Sequence, residues 1–145
     1  IMSLGMYSGK IGNSFVSKKN YPVEATDWIL QNLDVKNMKL FNEYNYGSYL
    51  LYKGVPVFID SRADLYAPEF NGKRAENGEY DGRDIFTDFI KTSSMERYYE
   101  DTFEIYDITH IILKKKSKLN TFISNDSGFL EMYNDDNFVV YERCK

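Results

Sequence analysis

Two short runs carry most of the residues whose side chains could do chemistry. The first is Asn42-Glu43-Tyr44-Asn45-Tyr46-Gly47, and the second is Asp60-Ser61-Arg62-Ala63-Asp64-Leu65-Tyr66. Each follows an apolar stretch of strand character, so each reads as the polar tail of a strand. In an open parallel sheet, ligands bind beyond the carboxyl ends of the strands, where successive crossovers diverge. If the two runs leave neighbouring strands that point the same way, Glu43, Asp60 and Asp64 share one crevice with Arg62. The candidate binding residues are therefore Asn42, Glu43, Tyr44, Tyr46, Asp60, Arg62, Asp64 and Tyr66.

Three readings of this cluster stand open. In the structural one, Arg62 pairs with a carboxylate while Asn and Asp side chains cap helix starts and turns. In the second, Tyr44, Tyr46 and Tyr66 form flat platforms for a polar ligand or partner, and the carboxylates accept from its hydroxyls. In the third, Glu43, Asp60 and Asp64 supply oxygen ligands to a hard cation, or act as a general acid and base. Spacing does not decide among them, so no catalytic residue and no metal ligand is assigned.

Other candidates carry less. His110 is the sole histidine and falls among isoleucines in a strand-like run, which suits a strand or core-edge histidine better than a proton carrier. No Gly-x-Ser-x-Gly elbow supports a serine nucleophile. Gly5, Gly9 and Gly12 do not form a dinucleotide fingerprint, and a Walker A loop is absent, so no cofactor is expected. Asn134-Asp135-Asp136-Asn137 lacks the glycine and distal glutamate of a calcium loop and reads as a hairpin turn. The basic run Lys114-Lys115-Lys116 with Lys118 reads as a solvated strand end in preference to an anionic-lipid patch.

The elements that must position these residues follow from periodicity and punctuation. Pro22 and Glu24 open a helix over residues 22–33, on which Ala25, Trp28, Ile29 and Leu33 recur at helical spacing. Residues 38–41 form a short strand. A helix over 46–53 ends at Gly54, and residues 55–59 are a near-continuous apolar run, the mark of a strand covered on both faces. Residues 61–83 form a long polar loop. Asp84 caps a helix, and the stripe Met95, Tyr98, Tyr99, Thr102, Phe103 and Tyr106 marks another. A strand over 108–113, a helix capped by Ser117, and a closing hairpin over 129–143 complete the order. Strands alternating with helices imply right-handed crossovers. The expected fold is a three-layer α/β/α sandwich, Rossmann-like in the broad sense. Its mostly parallel sheet would have about five strands, with the C-terminal antiparallel hairpin at an edge.

The whole sequence has 145 residues, 43% hydrophobic and 28% charged, which suits an ordinary globular domain. Residues 1–20 read as a flexible lead-in or linker, and 21–145 as a single α/β domain. Net charge is −4, which argues against nucleic acid, because a phosphate backbone needs a concentrated positive field. Cys144 is alone and forms no internal disulfide. No run approaches the length of a membrane span. The chain opens at Ile1, as a fragment or processed product would.

The runs Leu40-Phe41-Asn42-Glu43-Tyr44-Asn45-Tyr46-Gly47-Ser48-Tyr49-Leu50 and Val57-Phe58-Ile59-Asp60-Ser61-Arg62-Ala63-Asp64-Leu65-Tyr66, preceded by Tyr21-Pro22-Val23-Glu24-Ala25 with Trp28, resemble a known pattern. It is that of the soluble C-terminal domain of bacterial polytopic, glycosyltransferase-like membrane proteins of the lipid-linked-sugar-using type. Ser48 and Ser61 stand where that pattern has glycines. A fainter similarity links Tyr44-Asn45-Tyr46-Gly47 to the Trp-Trp-Asp-Tyr-Gly motif of oligosaccharyltransferase catalytic subunits, without its Trp pair and Asp. The resemblance implies an extracytoplasmic accessory domain on a bacterial cell membrane, anchored through a segment outside this chain. Its crevice would bind a saccharide or lipid-linked sugar, a lipid headgroup or a neighbouring loop. A stand-alone hydrolase or metal-dependent enzyme using the carboxylates, and a protein-interaction module, are the alternatives.

Overall fold

The computed structural model describes residues 17–62, 66–79 and 82–144. Helix α1 spans Val23–Asn32 and buries Val23, Ala25 and Ile29. After the two-residue strand β1, Leu40–Phe41, a single 3-10 turn over Tyr44–Tyr46 leads directly into α2, Gly47–Tyr52. Gly54, at φ 92°, ends this helical stretch in the left-handed region that glycine tolerates. The described part of the long polar loop carries α3, Pro68–Asn71. Helix α4, Ile85–Ser93, starts at Asp84, whose carboxylate accepts from the Thr87 amide. Helix α5 covers Tyr99–Ile105, and β2 covers His110–Lys114. Ser117 caps α6, Lys118–Ile123, and the hairpin is β3, Phe129–Asn134, with β4, Phe138–Arg143.

The sheet differs from the mostly parallel, five-stranded Rossmann-like sandwich that the sequence suggests. It is a mixed four-stranded sheet in the order β1-β2-β4-β3. Only β1 and β2 are parallel; β2 with β4 and β4 with β3 are antiparallel. Two physical reasons account for this. The closing hairpin does lie at one edge, but it makes up half of the sheet: β4 pairs along the full length of β2, from His110 with Glu142 to Lys114 with Phe138, and takes the place of a parallel neighbour. The apolar run 55–59 is not a strand at all. Pro56 has no amide hydrogen to give to a ladder, and the run meets its buried hydrogen-bond needs through a side chain instead.

Alternation along the strands divides the buried residues between two faces. On one, Phe41, Ile111, Leu113, Val139 and Tyr141 pack with Phe89, Phe103, Leu119 and Ile123 from α4, α5 and α6. On the other, Leu40, Ile112, Phe138 and Val140 pack with Ala25 and Ile29 of α1 and Leu50 of α2. Fully burying each large apolar side chain contributes about 1.5–3 kcal/mol, so the sheet is held between two cores. The helical stripe expected over residues 95–106 is interrupted. Met95 has φ 66° and closes the turn after α4, so its rhythm with Tyr98 spans a break.

Candidate functional site

The two polar runs meet, although one of their expected strands does not exist. Asn42 leaves β1 fully buried, and its amide does the work of a ladder. Its Oδ1 accepts from the Phe58 amide at 2.7 Å and lies 3.4 Å from the Ile59 amide. Its Nδ2 donates to Ile59 O at 2.8 Å and to Glu43 O at 2.9 Å. Every polar atom of the side chain is thus satisfied, as burial requires. Gly47 completes the junction. A Cβ at this position would stand 2.0 Å from Ile59 O and 2.9 Å from Asp60 Cα, so only glycine allows the start of α2 to lie against residues 59–60. Outside this contact the Ser48 and Ser61 hydroxyls are 2.7 Å apart.

Glu43 and the aromatic residues of the first run face inward. Glu43 Oε1 accepts from the Lys114 amide at 2.7 Å. The Tyr46 hydroxyl lies 2.7 Å from the same oxygen and 3.0 Å from Ile112 O, and gives its single proton to one of them. Burial raises the Glu43 carboxyl above the ordinary range, against the lowering effect of the Lys114 amide, the Tyr46 hydroxyl and the Lys114 charge. Tyr46 is fully buried with its ring edge-on to Phe138. Tyr44 stands edge-on to Phe86 and packs against the opposite core. Tyr46 is therefore no solvent-facing platform, and Tyr44 keeps only part of its surface open.

The second run is arranged the other way. Asp60 is fully buried, and accepts from Arg62 Nε at 3.0 Å and Nη2 at 2.5 Å as well as from the Arg62 amide at 2.8 Å. The Arg62 hydrogen bonds hold its carboxyl below the ordinary range, although burial opposes them. The Arg62 side chain itself is 53% exposed, and it also hydrogen-bonds Tyr66. A planar guanidinium anchored to a buried carboxylate and about half exposed is pre-oriented for an oxygen-rich ligand. Burial raises the Tyr66 hydroxyl, and its bond to Asp60 adds to the shift. Tyr66 also lines a largely apolar groove of about 330 Å3 with Leu40, Val57, Phe58, Ile85 and Tyr106. Asp64 lies outside the described residues.

The structure therefore brings Asn42, Glu43, Asp60 and Arg62 onto one rim, with Tyr66 at its outer side. Gly47, Ser48 and Ser61 belong to that junction and were not among the candidates; the glycines that the resembling pattern carries near them were the available signal. No group of three His, Cys, Asp or Glu side chains among the described residues could hold a metal ion. Elsewhere, His110 sits in β2 with Nδ1 2.9 Å from Thr109 Oγ1, and burial lowers its pKa. Cys144 is a free, exposed thiol.

No family model matches this sequence, and no curated protein matches it in sequence. The fold is similar to that of the C-terminal globular domain of an oligosaccharyltransferase from Archaeoglobus fulgidus. The TM-score is 0.56 at 12% identity, over 83% of this chain and 95% of that one. At that identity the likeness is one of fold. No helix among the described residues is long and apolar enough to cross a membrane.

Proposed function

We propose that this chain is a non-catalytic accessory domain of a glycosyltransferase-like integral membrane protein, placed on the extracytoplasmic face of a bacterial membrane. Its rim takes a saccharide, a lipid headgroup or a neighbouring loop through the outward-facing half, Arg62 with Tyr66. The observation that carries this reading is the fold shared with nearly the whole of an oligosaccharyltransferase C-terminal globular domain. The half-exposed, Asp60-bound guanidinium supplies the contact chemistry, because a fixed fork of N–H donors suits sugar hydroxyls and phosphate oxygens alike.

The enzymatic alternative has less support. Asp60 is occupied by Arg62, and Glu43 Oε1 by the Lys114 amide and the Tyr46 hydroxyl, so both described carboxylates are engaged in holding the fold. Titration of the isotopically labelled chain with neutral and phosphorylated saccharides tests the proposal. Saturable amide shifts at Ser61, Arg62 and Tyr66, lost in Arg62→Ala, are expected. Shifts scattered over the surface, or none with any saccharide, would remove the sugar-binding role.

A further inference from the structure

Three lysines from distant parts of the chain converge beside the hairpin turn. Lys19, in the turn before α1, joins Lys114 and Lys116, at and beyond the end of β2, around a pocket of about 160 Å3 completed by Asn20, Asp136 and Asn137. Among the described residues, none of these three ammonium groups has an ion-pair partner, whereas neighbouring Lys18 pairs with Glu24 at 3.0 Å. Lys114 does lie near enough to Glu43 to act on its charge. The residues lining this pocket include three lysines and one acid, Asp136.

Like charges lining one small pocket repel one another, least screened by salt where they lie within a Debye length of ~10 Å. The excess is also local, since the chain as a whole carries a charge of −4. A bound anion with several acceptor oxygens relieves this repulsion, and lysine binds phosphate well as a compact point charge. The two asparagine side chains add amide donors of fixed geometry. The run of lysines after β2 is thus half of a composite feature, and its other half comes from about ninety-five residues earlier.

We propose that this pocket binds a phosphate group, with Lys19, Lys114 and Lys116 supplying charge and Asn20 and Asn137 supplying hydrogen bonds. The site is separate from Arg62 and stands whether or not the rim binds sugar. A phosphate on a lipid headgroup and a soluble phosphate share this chemistry, and the test distinguishes them. The labelled chain is titrated with inorganic phosphate and pyrophosphate, and separately sedimented with vesicles of phosphatidylglycerol or of phosphatidylcholine. Saturable shifts at Asn20, Lys116 and Asn137 are expected. Each lysine near an anionic group contributes about fivefold, so the double reversal Lys19→Glu with Lys116→Glu weakens binding at least tenfold, and Asp136→Asn tightens it. Vesicle binding that needs both lysines and phosphatidylglycerol identifies a headgroup; phosphate binding without vesicle binding identifies a soluble ligand. Absence of saturable shifts at the pocket overturns the proposal, even if vesicles bind. So does equal weakening by the control Lys36→Glu.

Discussion

The two polar runs are built from similar residues and come to opposite arrangements. In the first, Asn42, Glu43 and Tyr46 turn their polar atoms toward the backbone of residues 58–59, 112 and 114. In the second, Asp60 is hidden but holds Arg62 so that the guanidinium faces out. The difference shows how one rim divides its labour. Carboxylates and amides that replace missing ladder bonds are spent on cohesion, while a charged group anchored from below remains available. Proximity of polar residues alone does not distinguish these cases; the direction of their hydrogen bonds does.

Substitutions at Asn42 and Gly47 should damage the fold, and those at Arg62 should damage binding. The largest effect is expected at Gly47. Gly47→Ala sets a methyl group against the Ile59 carbonyl and should cost about 3–4 kcal/mol in denaturant unfolding. Gly54→Ala meets no neighbour and carries only the strain of a positive φ, about 1–2 kcal/mol. Asn42→Ala should come next, at about 3 kcal/mol, because it strands buried backbone groups of residues 58 and 59. If Asn42→Ala unfolds at the same denaturant concentration as the parent, the cohesive role is wrong.

The two carboxylates offer a subtler contrast. Asp60 has a lowered pKa, so its folded state holds fewer protons than the unfolded chain. Its stabilisation is present above the ordinary aspartate value and is lost as pH falls through the lowered one. Glu43 has a raised pKa, so its folded form binds a proton first, and stability declines as pH rises from the ordinary glutamate value through the raised one. In unfolding measured across acidic pH, Asp60→Asn should flatten the acid-side loss. Glu43→Gln should gain on the parent near neutrality and lose that advantage on acidification. Parallel curves for both variants would break the comparison. The smallest effect belongs to Ser48→Ala, which removes an exposed hydroxyl pair and should move stability by no more than about 0.5 kcal/mol.

Elements with a local signature were legible in the sequence. The Asp84 and Ser117 caps, the stop at Gly54 and the turn before β4 each act within a few residues, and each appears in the structure. The sheet was not legible, because strand order is decided by pairing partners far apart in the chain. An apolar run such as 55–59 has the composition of a buried strand, and nothing in it reveals that an asparagine side chain takes over its hydrogen bonding. The polar rim was foreseen as a group of residues, yet its halves were indistinguishable. Whether Tyr46 stands free or under Phe138 depends on which face of the sheet the 3-10 turn enters.

The short strand β1 has a consequence for how the molecule assembles. Residues 108–143 form β2, α6 and the hairpin through contacts close in sequence, whereas β1 reaches β2 across about seventy positions with only two paired residues. Loop-closure entropy makes such a connection late to form. The junction built on Asn42 and Gly47 then belongs to a later-arriving, more readily released unit than the hairpin. Amide exchange at Phe58 and Ile59 should outpace exchange at Ile112 and Val140, because a partial opening that frees the front of the molecule leaves its three-stranded back intact.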